Sequence, residues 1–194
     1  GNASRCLSRL MFDRYGIKNT TIKVEGKEIT AEYSDPDNIT VNMGTANFAT
    51  DWMPSQEKLW ELAEKYRIEP KEMVCVDIGN PHLVIFSKLG DKDKKIFGKN
   101  LQKNELFING VNVNFAQIDD DTIILKVWER GTGFTIACGS GASASFAAAN
   151  KLGFVDDEAK VAFELGTLKM NKKNNQVLMT GSASYVFAGE YYYE

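Results

Sequence analysis

Short β-type segments separated by turn residues dominate this sequence, and they do not alternate regularly with helices. Three of them, TIKVEG, KEITAEY and NITVNM, follow one another between residues 21 and 43. Gly26 separates the first two, and the turn-forming SDPDN of residues 34–38 separates the last two, so we expect a small β meander. The arrangement favours an α+β fold over a doubly wound parallel sheet, in which strands and helices alternate.

The rest of the chain continues this strand-rich pattern. Further strands are predicted at MVCVDI (73–78), LVIF (83–86), GVNVNFAQI (110–118), TIILKVWE (122–129), VAFEL (161–165), TLKMN (167–171), QVLMTG (176–181) and a closing SYVFAGEYYY (184–193). Helices are predicted at about 2–15, 55–66 and 140–152, and the polar stretch up to about residue 105 is expected to be partly helical. The second helix has Ser55 as a possible N-cap and apolar residues at helical spacing, so it should lie against a sheet.

Composition excludes several classes of protein. The chain has 194 residues, 43% hydrophobic and 25% charged, which is typical of an ordered globular protein. Its net charge is −3 and its lysines are dispersed, so we expect no nucleic-acid partner. We find neither a secretory pattern nor an apolar run approaching the roughly 18 residues that cross a bilayer, so we expect a cytoplasmic protein without membrane attachment. Three cysteines without paired spacing and a single histidine predict neither a disulfide framework nor a metal site.

A weak internal repeat links the start of the chain to residues 139–150. Aligning Gly1 with Gly139 pairs GNASRCLSRLMF with GSGASASFAAAN, each a glycine followed by small residues and then an apolar helix. In this register the position before Gly1 lies opposite Cys138. The repeat therefore predicts that a cysteine precedes Gly1.

Cys138 stands directly before a predicted helix. A helix N-terminus carries unsatisfied N–H groups and about half a positive charge, which can lower a thiol pKa from about 8.5 to roughly 3.5–7.5. Gly139 and Gly141 leave room for a substrate carboxylate to dock on those N–H groups. Cys138 would then be a base or a nucleophile. The alternative is a small buried apolar cysteine beside glycines that permit tight packing.

Three further polar motifs end or line predicted strands. GNPH places Asn80 and His82 after an apolar strand, WERG places Glu129 and Arg130 just before the glycine-rich helix, and VNVNF alternates Asn112 with Asn114. Each also has a structural interpretation: a hydrogen-bonded core or turn histidine, an ordinary strand end in water, and the exposed face of a half-buried strand.

IGNPHLVIF, VNVNFAQI and WERGTGFTIACGSGASAS together resemble the diaminopimelate epimerase family, cofactor-independent epimerases of bacterial lysine and cell-wall synthesis. GNASRC resembles the family's first cysteine motif, CGNGARC, without its initial cysteine. The resemblance covers the whole chain and implies a longer natural protein. It also implies two pseudo-symmetric lobes, each a β structure around a central helix. One lobe would comprise residues 45–182, and the other 1–44 with 183–194.

The resemblance implies interconversion of LL- and meso-diaminopimelate, in which one thiolate removes the α-proton and the opposite thiol returns one, without metal or other cofactor. Cys138 would be one acid/base cysteine, with Glu129 and His82 as the polar partners that set thiol protonation. Asn80, Asn112 and Arg130 would bind the distal end of the substrate, and the backbone N–H groups at Gly139, Ser140, Gly1 and Asn2 would hold its α-carboxylate. Because the second cysteine is absent from these 194 residues, we expect the chain alone to be inactive. The resemblance further implies a homodimer acting on a small amino-acid substrate.

Some residues depart from the family pattern or take no part in it. Phe134 replaces a usual glutamate and Ala3 a usual glycine, changes that bear on substrate fit. Cys6 lies inside the first helix, where the family also has a non-catalytic cysteine, and Cys75 is expected in the core. Two alternatives remain open: a related proline or hydroxyproline racemase or phenazine-pathway isomerase, and a non-catalytic domain that captures a ligand at its helix terminus.

Overall fold

The computed structural model describes residues 1–24, 27–190 and 192. These residues form one continuous sheet of eleven strands with four α-helices, so the α+β prediction is confirmed. The helices are α1 (Asn2–Tyr15), α2 (Gln56–Lys65), α3 (Asp91–Leu101) and α4 (Gly139–Lys151). The strands are β1 (Asn19–Val24), β2 (Lys27–Asp35), β3 (Asn38–Asn42), β4 (Met73–Asp77), β5 (Pro81–Phe86), β6 (Asn112–Asp119), β7 (Thr122–Glu129), β8 (Gly133–Thr135), β9 (Glu158–Phe163), β10 (Gly166–Lys173) and β11 (Gln176–Gly181).

The strand order is β1-β2-β3-β11-β10-β9-β7-β6-β5-β4, with β8 added to β7. The first three strands pair antiparallel in sequence order, which confirms the predicted meander. The turn of SDPDN forms because the Asp35 carboxylate accepts the backbone N–H groups of Asp37 and Asn38, each at 2.9 Å. The turn predicted at Gly26 lies outside the described residues. Two pairings are parallel, β5 with β6 and β7 with β9.

Helix α4 lies at the centre of the larger core. It packs against β4 to β7 and β9 to β11, and its residues 141–149 are all buried. A helix of alanine, glycine and serine has no large polar face, so it can be enclosed by strands on several sides. Phe146 is its only large apolar side chain, and it is fully buried among the core residues of the surrounding strands.

Helix α1 packs on one side only. It contacts β1, β2 and β3, where Phe12 stacks on Tyr33 with ring centroids 4.0 Å apart. Tyr33, Ile39 and Ala183 form a small apolar cluster with Phe12, separate from the core around α4. Leu7 and Tyr15 are exposed on the same helix.

The predicted closing strand is wrong for the residues that the structure describes. Residues 184–190 and 192 form no strand, and Val186 and Phe187 are 92% and 85% exposed, because no neighbouring strand pairs with this segment among the described residues. Strand β8 was not predicted, because its three residues are too few to show the alternation of apolar and polar residues that indicates a strand. Within the described residues, no helix is long and apolar enough to cross a membrane.

Candidate active site

Helices α1 and α4 begin close to each other. Cys138 is the N-cap of α4, and Gly1 is the N-cap of α1. A Cβ placed on Gly1 would lie 3.5 Å from the Cα of Gly139, and one placed on Gly139 would lie 3.4 Å from the Cα of Gly1. These are van der Waals distances, so the two backbones lie close together at the helix starts. The positive ends of the two helix dipoles therefore lie close together, an arrangement that favours binding of an anion.

The Cys138 sulfur lies at the start of α4, largely enclosed. The residue is 8% exposed, and its Sγ accepts the backbone N–H of Gly141 at 3.4 Å and lies 3.5 Å from the hydroxyl of Ser140. A Cβ on Gly141 would lie 2.9 Å from Val127 Cγ2 and 3.3 Å from the sulfur, so only glycine fits there. Cys138 also belongs to the apolar core around α4. It is therefore both a buried residue and a helix cap, although the sequence presented these as alternatives.

The predicted lowering of the Cys138 pKa is wrong. Burial raises the pKa of this thiol above its ordinary value, and the charge of Glu129 acts in the same direction. The Gly141 N–H, and any hydrogen bond that Ser140 donates to the sulfur, oppose that rise without overcoming it. The loss of hydration outweighs the helix terminus because the sulfur lies inside the protein surface. Cys138 is therefore a protonated thiol at neutral pH.

Glu129 is the last residue of β7, where the chain turns toward α4. It is half-buried, and its Oε1 accepts a hydrogen bond from the hydroxyl of Thr135 in β8. The β7–β8 pairing therefore fixes the carboxylate beside Cys138. Phe134, which precedes Thr135 in β8, packs edge-on against Trp128 with ring centroids 5.0 Å apart. It also packs against a separate apolar cluster that includes Leu59 of α2 and Leu101 of α3.

His82 in β5 is fully buried with a partner on each ring nitrogen. Nδ1 lies 3.1 Å from Asn114 Oδ1, and Nε2 lies 3.1 Å from both Asn80 Oδ1 and Ser140 Oγ. Burial lowers the pKa of His82 to about 4, with the Asn114 hydrogen bond and the charge of Asp77 opposing that shift and Arg130 adding to it. The imidazole is therefore neutral at physiological pH, and Ser140 links it to Cys138.

The three residues expected at the distal end of the substrate lie on neighbouring elements. Asn112 is 6% exposed, which excludes the interpretation that it lies on the exposed face of a strand. Its side-chain amide donates to the carbonyl of Pro81 and accepts a hydrogen bond from the backbone N–H of Arg130, both at 2.9 Å. Arg130 is exposed, and its guanidinium donates to the carbonyl of Asn109 at 2.8 Å. Asn80 donates to Ser140 at 3.4 Å, and a cleft of about 800 Å³ opens beside it.

Sequence reasoning missed two buried polar residues near the helix starts. Asn114 is fully buried between His82 and α4, although its alternation with Asn112 was visible in the sequence. Arg5 is 8% exposed on α1; it donates to the carbonyl of Ser182 at 3.1 Å and to Asn2 Oδ1 at 2.9 Å. Cys6 is exposed, whereas Cys75 is buried as expected, and burial raises its pKa to about 12. Across the described ranges, no group of three or more His, Cys, Asp or Glu side chains is placed to hold a metal ion.

Solved structures show the same fold. A predicted epimerase from Pseudomonas aeruginosa matches 95% of this chain and 73% of its own length, with a TM-score of 0.62 and 14% identity. A phenazine biosynthesis protein of the PhzF family from Enterococcus faecalis matches 97% of this chain and 71% of its own length, with a TM-score of 0.62 and 13% identity. At these identities the likeness concerns the fold alone.

Sequence comparison identifies closer relatives. Residues 74–186 match the family model of diaminopimelate epimerase. Curated diaminopimelate epimerases from Rickettsia akari, Rickettsia felis and Rickettsia prowazekii are 55%, 53% and 52% identical over all 194 residues, which span 72% of each relative. The chain therefore belongs to the diaminopimelate epimerase family.

Proposed function

We propose that the whole protein interconverts LL- and meso-diaminopimelate by two-base proton transfer, with Cys138 as one of the two acid/base groups. The observation that carries this proposal is the meeting of two helix N-termini beside the Cys138 sulfur. The names of the close relatives and the matching family model support the same substrate.

The two helix N-termini suit a reaction that must remove a weakly acidic α-proton. An amino-acid α-proton is very weakly acidic, so the transition state needs positive potential at the α-carboxylate, where negative charge accumulates. The backbone N–H groups at Asn2, Gly139 and Ser140 would supply it from two directions. They are fixed before the substrate arrives, so little reorganisation is needed during the reaction.

The protonation state of Cys138 in the free protein indicates which role this residue takes in one direction of the epimerisation. Because burial and Glu129 raise the pKa of the thiol, the free protein holds a proton on this sulfur. Cys138 would therefore donate a proton to one face of the α-carbon, and it would act as the base when the reaction runs in reverse. We assign the opposite face to the residue that precedes Gly1 in the whole protein, since Gly1 faces Gly139 across the two helix starts.

The distal amino-acid end of the substrate would lie toward Asn80, Asn112 and Arg130. The Arg130 guanidinium is exposed and can pair with a carboxylate. Asn112 holds the backbone of Arg130, so it would orient that residue as well as contact the ligand.

A different isomerase remains the second candidate, because the solved structures of PhzF-family proteins share this fold. It differs from the first in substrate, and a panel containing diaminopimelate, proline and hydroxyproline separates the two. A non-catalytic domain would turn over none of them.

The test uses the whole protein with LL-diaminopimelate and measures formation of the meso isomer. Cys138→Ala should lower kcat by at least about a hundredfold, because a positioned acid/base group contributes about 10² to 10⁴. Cys6→Ala is the matched control, an exposed cysteine on α1 that should leave turnover unchanged. Unchanged turnover by Cys138→Ala would contradict the proposal.

The remaining expectations stay predictions. We expect a homodimer in the cytoplasm and two lobes, residues 45–182 and residues 1–44 with 183–194. The separate apolar cluster of Tyr33, Ile39 and Ala183 supports that division, since it joins residue 183 to the first segment.

A further inference from the structure

Asn114 occupies the space between His82 and the first turns of α4. Its side chain is fully buried, and its amide nitrogen donates to the Gly141 carbonyl at 2.9 Å and to the Ser145 hydroxyl at 3.0 Å. Its amide oxygen lies 3.1 Å from His82 Nδ1. Every hydrogen-bonding group of this amide therefore has a partner inside the protein.

The orientation of the amide follows from these partners. A backbone carbonyl can only accept, so the amide nitrogen must face Gly141; the reverse orientation would bring two oxygens together at 2.9 Å. The amide oxygen is then the atom beside His82, and an oxygen of this kind can only accept. The hydrogen of the neutral imidazole must therefore be on Nδ1, and Nε2 must carry the lone pair.

The lone pair of Nε2 faces the Ser140 hydroxyl and the Asn80 side chain, each 3.1 Å away. An unprotonated nitrogen cannot donate to an amide oxygen, so in this tautomer the Asn80 amide must turn over from the orientation in which its nitrogen faces Ser140 at 3.4 Å. Its nitrogen then faces Nε2, where it shares the one lone pair with the Ser140 hydroxyl. Ser140 has one hydroxyl hydrogen, for which Nε2 and the Cys138 sulfur at 3.5 Å compete. The nitrogen is closer and is the better acceptor.

We propose that Asn114 is a positioning residue that holds His82 as the Nδ1–H tautomer, so that the Ser140 hydroxyl donates to Nε2 rather than to Cys138. A Cys138 thiolate then lacks the Ser140 hydrogen bond, and the sulfur keeps its proton as the proton donor. This inference rests on the proposed function for its catalytic meaning, but the tautomer itself is independent of any activity.

The burial of His82 supports the proposal. Its pKa of about 4 means that the imidazole does not gain a second proton between pH 5 and 8, where the tautomer would be lost. The charged and titratable groups that face it are Asp77, Arg130 and, through Ser140, Cys138. Asp77 favours protonation and Arg130 opposes it.

The primary test is ¹⁵N nuclear magnetic resonance of the whole protein labelled at histidine, with His82→Gln used to assign the His82 signals. We expect a protonated Nδ1 and an unprotonated Nε2 whose shifts stay constant from pH 5 to 8. A hydrogen on Nε2, or titration within that range, would overturn the proposal. This readout needs no substrate, so it stands even if the proposed epimerase activity fails.

The second test compares Asn114→Leu with Asn114→Asp. The leucine variant loses the acceptor for Nδ1–H, and we expect kcat to fall by at least about tenfold with little change in KM, the pattern of a lost acid/base alignment. The aspartate variant keeps that acceptor but puts a charged oxygen where the amide nitrogen donates to the Gly141 carbonyl, so it should also lose stability. Its charge should make His82 titrate at a higher pH, so that activity falls at acid pH where wild type is unaffected.

Gln117→Leu, on the same strand and outside the His82 hydrogen-bond network, is the control for a substitution in β6. Equal pH profiles for wild type and Asn114→Asp would contradict the positioning role. A purely structural Asn114 would lower stability in both variants without moving any pH dependence. Should both variants fail to fold, the tautomer measured in the wild type decides the question.

Discussion

Helices α1 and α4 begin within contact of each other, yet they are built and buried differently. Helix α4 is enclosed by strands on several sides, and its N-cap sulfur accepts the Gly141 N–H. Helix α1 rests on three strands, carries arginines and an exposed cysteine, and begins at a glycine with no capping side chain. The same glycine and small-residue start therefore aims two backbones at one point, while the side chains that follow decide how deeply each helix is buried.

The largest expected difference between the two helices concerns stability. Phe146→Ala in α4 should lower the free energy of unfolding by about 3–5 kcal/mol, because it leaves a cavity in an enclosed core. Phe12→Ala in α1 should cost about 1–2 kcal/mol, since that ring is half-buried on one face. Urea unfolding of the whole protein measures both, and equal costs would show that the helices are equally enclosed.

The matched positions Gly141 and Ala3, third in each repeat, sharpen the comparison at the helix starts. Gly141→Val places methyl groups against Val127 and the Cys138 sulfur, so it should cost at least about 2 kcal/mol and lower activity. Ala3→Val on the exposed side of α1 should cost less than about 1 kcal/mol, the difference in helix propensity. Equal tolerance at the two positions, by thermal unfolding, would mean that the start of α4 is loosely packed.

The smallest expected effect compares the thiols of the two helices. Because the pKa of Cys138 is raised, its thiolate fraction is small at pH 7.5 and should grow with each unit of pH up to at least 9. Iodoacetamide should therefore modify buried Cys138 at least about tenfold more slowly than exposed Cys6 at pH 7.5. Peptide mass spectrometry measures both rates in one sample. Faster modification of Cys138 would indicate a thiolate in the free protein.

Local patterns in the sequence predict much of this fold. Strand β7 occupies the predicted residues 122–129, and α2 lies within one residue of its predicted bounds at each end, because the turns and caps beside them are short-range signals. The parallel pairing of β7 with β9 depends on segments far apart in the chain, and no local pattern encodes it. The segment at 184–190 has a strand-like pattern, but a strand needs a neighbour, and none of the described residues provides one.

In the candidate site, too, some features follow from local motifs and others depend on the whole fold. Motifs at strand ends and at a helix start predict Cys138, Glu129 and His82 as site residues, and the structure links His82 to Cys138 through Ser140. The direction of the Cys138 pKa was missed because burial depends on the whole fold around α4, whereas the helix terminus can be read from a few residues. Asn114 was missed as a partner of His82 because their contact crosses two parallel strands.

The most direct test of the account is a crystal structure of the whole protein with diaminopimelate bound. We predict that the α-carboxylate accepts hydrogen bonds from backbone N–H groups at the starts of both α1 and α4, with the α-carbon facing the sulfur of Cys138. A bound substrate whose α-carboxylate pairs with Arg130 instead, leaving the helix starts without an anion, would contradict it.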